Sequence, residues 1–441
     1  MRRVAYLVLM GLWASASVAQ EHSDLEKFTK SGVSFGVLPA VSYDNDLGFQ
    51  YGLLSNIYWY GTGENYPNYE QSLYVEVSRF AAGTMLARVN YDSPEALSGI
   101  SRNARLLADV TWFRDLTMDF SGFNGRKTVW DKDLIDKESD EYLTRIFYKH
   151  HRRMFRAMAT VRYDVPESNV YWQAGFTLFD MKIESVHRNE LRRSLPDTAT
   201  LYDIYCKYNV LRPAQQSGGR DCFLRASIGI DSRDNEAFAT KGVWSELTLA
   251  AAPGFWSEHT DGFLRATLMH RQYISLGSPE RVLAYRVVLQ NKICGRVPFY
   301  ILPHITTSTL TAATSQGLGG SKTMRGTTRN RIVADGVALA NVEYRWLLTR
   351  FEWQKAQWAI GLNVFGDFGL TTQEYDVDLS GVPTEQREWL FRTGHDCLHT
   401  SAGLGLKIHM NTNFIISADF GKSVRKDDGK QGFYVTMNYL F

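Results

Sequence analysis

The chain has 441 residues, of which 44% are hydrophobic, 22% are charged and 13% are aromatic. This content of large apolar groups excludes a disordered chain, and a net charge of only +2 lacks the basic excess that nucleic-acid binding needs. A negative mean hydropathy excludes a bundle of membrane-spanning helices. Length alone therefore predicts two or three soluble domains, an expectation that the residue pattern overturns.

The N-terminus has the pattern of a cleaved export signal. Arg2 and Arg3 precede a short apolar stretch at 4–14, and Ser17 and Ala19 are the small residues of a cleavage site. The alternative is a buried N-terminal helix, but the order of charge, apolar core and small residues favours a signal peptide. We expect residues 1–19 to be removed and residues 20–31 to form a short periplasmic segment.

The remaining chain alternates apolar and polar residues with a period of two, which indicates β-strands. In 340–346, for example, Val342, Tyr344 and Trp346 alternate with Glu343 and Arg345. Many such segments reach ten residues and carry Tyr or Trp near their ends. This pattern is typical of a transmembrane barrel, whereas a soluble sandwich, the alternative, has shorter and mostly aliphatic strands.

Residues 32–441 fit an all-β fold: a sixteen-stranded antiparallel transmembrane β-barrel of the Gram-negative outer membrane. The long connections at 184–220, 295–335 and 371–399 then all lie outside the cell, as such barrels require. Gly432, Tyr439 and Phe441 give the last strand an outer-membrane signal, with an aromatic residue at its end. The predicted strands cover about 32–43, 47–60, four strands within 69–163, 169–183, 221–231, 242–252, 262–275, 281–293, 337–352, 356–370, 400–410, 413–424 and 431–441.

Three motifs fall on these elements. The turn after strand eight reads Asp231-Ser232-Arg233-Asp234-Asn235 and ends at Gly242, the sixth extracellular loop contains 319–326, Gly-Gly-Ser-Lys-Thr-Met-Arg-Gly, and strand thirteen contains 365–369, Phe-Gly-Asp-Phe-Gly. In this order they resemble the BamA/TamA superfamily of outer-membrane barrels, also called bacterial surface antigens. The chain departs from the family pattern at three positions: Ala239 replaces a proline, Met324 replaces Val or Ile, and Thr327 replaces an aromatic residue.

The resemblance implies that Arg325 and Gly326 are carried into the barrel, where Arg325 meets Asp367 and Glu343. Glu343 also lies on the polar face of its strand, which independently predicts that it faces the lumen. A planar guanidinium matches carboxylates well. The group would lock the loop in place and is not catalytic; the alternative is that Arg325 is a solvated loop residue.

Relatives that insert proteins into membranes usually carry periplasmic POTRA modules before the barrel. We expect none here, because only about a dozen residues separate the signal from strand one. Other envelope proteins would then have to supply a periplasmic arm.

The four cysteines all lie at or above the predicted extracellular rim. A Cys206–Cys222 disulfide would staple the loop before strand eight, and Cys294 with Cys397 is the remaining pairing. Other connectivities stay open.

Histidines offer only weak metal-site candidates. His150 and His151 are neighbours on a strand, so they point to opposite faces and favour a basic patch over a paired site. His395, Asp396, Cys397 and His399 could bind a metal, although an ordinary polar loop is the default interpretation. We expect no cofactor and no enzymatic activity.

The loop at 184–220 is basic. It could contact lipopolysaccharide in addition to the membrane lipid around the barrel, and a merely solvated loop is the alternative. Its cationic residues are Arg188, Arg192, Arg193, Lys207, Arg212 and Arg220.

Three functions are compatible with this fold. The first is a component of outer-membrane protein assembly or translocation, in which the seam between 32–43 and 431–441 opens. The second is a structural or partner-binding barrel in a surface complex. The third is a small-solute pore, which a loop inside the lumen would disfavour.

Overall fold

The computed structural model describes residues 31–64, 69–191, 195–235, 238–259, 262–307, 317–353, 356–410, 414–429 and 431–441. The predicted signal peptide, 1–19, lies outside these residues, as does nearly all of the predicted periplasmic segment 20–31. Within the described residues, every helix is too short or too polar to cross a bilayer.

Sixteen antiparallel strands in the described residues pair in chain order and close into one barrel. This arrangement confirms the predicted fold class. The strands are β1 Val33–Asp44, β2 Gly48–Trp59, β3 Gln71–Phe80, β4 Met85–Ser93, β5 Ala104–Asp119, β6 Lys149–Asp164, β7 Val170–Glu184, β8 Gly218–Asp231, β9 Gly242–Pro253, β10 Gly262–Ser275, β11 Arg281–Gly295, β12 Gly336–Trp353, β13 Ala356–Gln373, β14 His399–Met410, β15 Phe414–Ser423 and β16 Gln431–Met437.

The period of two explains the two faces of the wall. On β12, Val342, Tyr344 and Trp346 are exposed on the outside, whereas Glu343 and Arg345 are buried inside. An apolar outside and a polar inside are expected where one face of every strand meets lipid. Closure also gives the backbone its hydrogen-bond partners within the wall.

The extracellular connections form a closed cap. They contribute two α-helices, α1 Leu201–Lys207 and α2 Thr384–Leu390, and 3₁₀ turns at Gly125–Lys127, Arg188–Glu190, Pro213–Gln215, Gly254–Trp256 and Lys426–Asp428. A capping box formed by Thr200 and Asp203 starts α1. Apolar residues from four connections pack into one buried cluster, which includes Phe123, Phe147, Leu201, Tyr205, Leu211, Phe299, Ile301, Tyr375 and Leu390.

The number of long extracellular connections was underestimated. A fourth one, 120–148, joins β5 to β6 inside the region where the sequence predicted only strands and short turns. Its residues Phe123, Trp130, Phe147 and Tyr148 are buried in the cap. This connection is as rich in aromatic residues as the lipid-facing strands are. Composition alone therefore does not distinguish a cap-forming loop from strands of the barrel wall.

The predicted end of the last strand is wrong. β16 stops at Met437, because Asn438 adopts a left-handed conformation with φ 64° and donates its backbone N–H to Ile415. Tyr439 and Phe441 then turn into the barrel instead of facing lipid, and both are buried. Phe441 packs beside Ala239, Tyr273, Val282 and Ala284 on the inner wall.

The predicted disulfides do not form, since all four cysteines are free. Cys206 packs against the cap cluster, whereas Cys222 lies on the outer face of β8 beside exposed Leu224. Cys294 ends β11 and Cys397 precedes β14, and two strands separate those strands in the barrel. At about 4.8 Å per strand, this separation exceeds the roughly 7 Å limit between the Cα atoms of a disulfide.

We therefore predict four free thiols under non-reducing, denaturing alkylation with mass mapping. In the folded barrel, exposed Cys294 and Cys397 should be modified first. Cys206 should react slowly near neutral pH, because burial raises the pKa of its thiol to about 11 and leaves little thiolate. Recovery of any intramolecular Cys–Cys peptide would contradict this assignment.

Candidate functional site

The connection between β11 and β12, hereafter loop six, descends into the lumen and touches the inner wall at β15 and β16. At its tip the Gly326 backbone, with φ 90°, lies so close to β15 that a Cβ atom would come within 2.4 Å of the Gly421 carbonyl carbon. The Gly326 N–H donates to the Tyr434 hydroxyl of β16 at 3.1 Å. Only glycine fits this approach.

Arg325, beside that glycine, is 1% exposed and meets the acids of two strands. Its Nε and Nη2 each donate to one Asp367 carboxylate oxygen at 3.0 Å, and its backbone N–H donates to Asp367 at 2.9 Å. Its Nη1 lies 2.7 Å from Glu343 Oε1. Bidentate pairing of this kind is the strongest geometry for a guanidinium and a carboxylate.

Further side chains that sequence reasoning did not select complete this group. Arg325 lies over the Phe365 ring, with Cζ 3.4 Å from the centroid. Asp419 on β15 lies 3.4 Å from Arg325 Nη1 and accepts from Lys407 Nζ at 2.6 Å. Asn341 donates to Asp367 at 2.8 Å. Only Phe365 belonged to a quoted motif; Asn341 lies on β12 together with Glu343, and Lys407 and Asp419 lie on the neighbouring strands β14 and β15.

The periplasmic turn between β8 and β9 is held by its own acids. The Arg233 side chain donates to Asp231 from Nε at 2.9 Å and from Nη2 at 2.7 Å, and it stacks on Trp244. Asp234 accepts from the backbone N–H groups of Thr240 and Lys241, at 2.9 and 3.2 Å.

The same turn reaches under the lumen. Asn235 Oδ1 accepts from the Phe238 N–H at 2.9 Å, and the Phe238 ring lies 5.5 Å from that of Tyr439 in the inturned tail. Gly242 closes the turn at φ 104°, where a Cβ atom would meet the Ser232 carbonyl oxygen. The turn and the tail together cover part of the periplasmic opening.

A second polar cluster joins the extracellular loops. His399 is bonded on both ring nitrogens, to Asp428 at 2.7 Å and to Asp396 at 2.9 Å. Arg126 Nη2 donates to Asp428 at 3.0 Å, and the Arg126 N–H donates to Asp396. The sequence candidates for a metal are not brought together here, because His395 is exposed and points away while His399 is occupied by carboxylates.

The seam between β1 and β16 is the weak line of the wall. Its register holds Tyr43 opposite Val435 and, in the described residues, no other pair. By contrast, β1 faces β2 along its whole length. Below this pair, the described residues of β1 have no further register partner in β16, because the chain after Met437 turns inward. The outward residues of this edge, Val33 and Phe35, are 58% and 73% exposed.

The profile of the Omp85 superfamily domain matches residues 123–441. The chain belongs to the Omp85 superfamily. This finding confirms the predicted kinship with the BamA/TamA group, and it identifies a Gram-negative outer-membrane β-barrel. Members of the superfamily are insertases and transporters rather than enzymes. Among proteins with curated descriptions, no match was found.

One solved structure shows the same fold at low sequence identity, and two others are similar over most of this chain with lower scores. The barrel of BamA from Haemophilus ducreyi lacking POTRA domains 1–3 is 15% identical, with a TM-score of 0.57 over 93% of this chain and 70% of that one. CdiB from Acinetobacter baumannii is 13% identical over 93% of this chain, with a TM-score of 0.45, and this match spans 60% of CdiB. A bacterial polysaccharide outer membrane secretin is 12% identical over 94% of this chain and 100% of that one, with a TM-score of 0.40.

Replacing Arg325 with alanine should destabilise the barrel by about 3–5 kcal/mol, because Asp367 and Glu343 would stay buried without their partner. Urea titration in detergent, read by heat-modifiable electrophoretic mobility, measures this. Arg325→Lys should lower the free energy of unfolding by less than Arg325→Ala does, because lysine keeps the positive charge although it cannot make the bidentate contact. Exposed Arg425→Ala is the matched control, and equal midpoints for Arg325→Ala and the control would contradict a locking role.

The extracellular cluster should make stability depend on acid pH. Although burial opposes ionisation, the bonds from His399 dominate and hold the pKa of Asp396 at about 2. A carboxyl whose pKa is lowered by folding stabilises the protein above about pH 4 and loses that contribution as pH falls towards 2. Asp396→Asn should therefore cost about 2 kcal/mol at pH 7 and flatten the acid limb of the unfolding curve. Exposed Asp140→Asn should follow the wild type.

Proposed function

We propose that this barrel is a membrane-embedded component of outer-membrane protein assembly or translocation, acting through the β1–β16 seam. The observation that carries the proposal is the single register pair, Tyr43 with Val435, that joins these two strands. An unpaired strand edge is a template for another strand, since its N–H and C=O groups need partners.

The inturned tail supports an opening seam. Residues 438–441 do not lengthen β16 along β1 but are held inside, where Arg345 Nη2 donates to the Phe441 carbonyl oxygen at 2.8 Å. Arg345 also lies over the Tyr439 ring at 4.2 Å. The lower half of β1 is thereby left facing the hydrocarbon, where an arriving strand would gain its backbone hydrogen bonds.

The two ends of the barrel differ in a way that favours entry from the periplasm. The extracellular end is covered by the apolar cap, whereas a cavity of about 560 Å³ opens at the periplasmic end, lined by residues such as Phe238, Phe351, Trp358 and His409. A client, or another envelope protein acting as a periplasmic arm, would approach this mouth. Loop six and the cap disfavour a free solute pore.

The apolar outer belt supports contact with membrane lipid. We also propose contact with lipopolysaccharide. It is supported by exposed cationic side chains on the outer face of the wall, near the extracellular ends of β6, β7 and β8: Arg153, Lys182 and Arg220.

Locking the seam tests the proposed function. Tyr43→Cys with Val435→Cys places two thiols on paired Cα positions, within reach of a disulfide. The native cysteines are changed to serine beforehand. In a deletion strain with altered outer-membrane protein composition, the locked barrel should fail to restore it until a reductant is added.

The matched control is Val41→Cys with Tyr51→Cys, which bridges β1 to its permanent neighbour β2. This variant should complement with or without reductant. Full complementation by the oxidised seam variant, or a deletion that leaves outer-membrane composition unchanged, would refute the proposal.

A further inference from the structure

A cluster of metal-ligand side chains lies on the outer face of the wall, away from loop six. His151 is near the extracellular start of β6, Glu184 ends β7, and His187 follows in the next loop. Their ligand atoms all lie within 4.8 Å of one another. Sequence reasoning missed this group because it compared His151 with its neighbour His150, not with a histidine 36 positions later in the next extracellular loop.

The spacing of the ligand atoms fits one small ion. Glu184 Oε2 lies 3.5 Å from His151 Nδ1 and 3.7 Å from His187 Nε2. A tetrahedral ion with bonds of about 2.0–2.1 Å separates its ligands by roughly 3.4 Å, so small side-chain movements would complete the site.

His151 is the residue that most needs such a partner. It points outward, yet it is 1% exposed because the His187 ring covers it at a centroid distance of 4.4 Å. Neither of its ring nitrogens makes a well-aligned hydrogen bond to the described part of the chain. Buried polar groups rarely lack a hydrogen-bond partner. A metal ion would provide a partner for the ring nitrogen that faces Glu184.

His187 is already oriented as a ligand. Its Nδ1 lies 3.1 Å from Glu190 Oε1, and Glu190 is held by Arg114 at 2.5 Å. If Nδ1 donates to this carboxylate, the lone pair of Nε2 is directed towards Glu184 and His151. A carboxylate behind a histidine is the usual support of a metal ligand.

The surrounding charges select the class of ion. Glu184 also meets Lys182 at 2.7 Å through Oε1 and Arg153 at 3.6 Å through Oε2. One carboxylate among cations is a poor site for Ca²⁺ or Mg²⁺, which need several oxygen ligands, whereas two neutral imidazoles suit Zn²⁺ and its neighbours. We propose that His151, Glu184 and His187 bind a zinc-type transition-metal ion, with water as the fourth ligand, and so fasten the 185–217 loop to the barrel wall.

Calorimetric titration of Zn²⁺ into the metal-free, detergent-solubilised full chain tests the site. The protein carries Cys→Ser at all four cysteines, so that thiols cannot bind the ion. We expect one saturable site whose affinity falls at least tenfold in His187→Gln. Glu190→Gln, which weakens the support of His187 and leaves all three ligands in place, should weaken binding about 10–100-fold.

His395→Gln is the matched control, because His395 is an exposed loop histidine outside the cluster. Its affinity should equal that of the parent. Co²⁺ should give a visible tetrahedral absorption band in the parent and the control, and none in His187→Gln. Retained heat-modifiability shows that each variant is folded. Absence of saturable Zn²⁺ binding, or equal binding by His187→Gln, would overturn the proposal.

Discussion

In hydrocarbon, a backbone N–H or C=O group without a partner costs several kcal/mol, and the whole architecture follows from meeting this demand. Each strand satisfies it on both sides by pairing with its neighbours, so the wall must close on itself. The departure lies at the β1–β16 seam, where β16 ends early and the first strand keeps an open edge. A place where the general constraint is not met is where one expects function.

The lumen has the opposite problem, since its alternating positions place many charges away from bulk water. Buried ions are tolerable only when each has partners of good geometry. Loop six supplies such a partner, Arg325, and the barrel wall supplies the two carboxylates that it pairs with, Asp367 and Glu343. Loop and wall therefore depend on one another. Without Arg325 the two carboxylates would repel each other, and without the carboxylates Arg325 would be a buried charge that lacks its two closest ion-pair partners.

Apart from β3–β6, for which only the range 69–163 was predicted, and the end of β16, the strand bounds were predicted to within a few residues, because the period of two reports directly on which face meets lipid. The Arg325, Glu343 and Asp367 set was named from the family resemblance of its motifs, and Glu343 also from the polar face of its strand. What escaped prediction depends on proximity across the barrel: Asp419 and Lys407 reach Arg325 only because β14 and β15 follow β13 in the wall.

The fourth long loop and the inturned tail escaped for a different reason. Aromatic residues occur in lipid-facing strands, in the cap and inside the lumen. The residue type of Phe147 and Phe441 therefore did not indicate which of these environments each one occupies. Similarly, His151 could not be matched to His187 before the register of β6 against β7 was known, which places His151 opposite Glu184. The local residue pattern predicts the type and bounds of a strand. The contacts between elements that are distant in the chain can be predicted only once the fold is known.

The inturned tail has a consequence for the order of assembly. Phe441 rests on residues of β10 and β11 and is held by Arg345 of β12, while Gly326 of loop six rests on β15 and β16. The docking surface of Phe441 exists only when β10 to β12 have paired, whereas that of Gly326 exists only when β15 and β16 are in place. The tail can therefore dock only after the middle strands have formed, and loop six reaches its final position only together with the last two strands. With a single register pair, the β1–β16 junction is the contact between neighbouring strands that is most easily reversed.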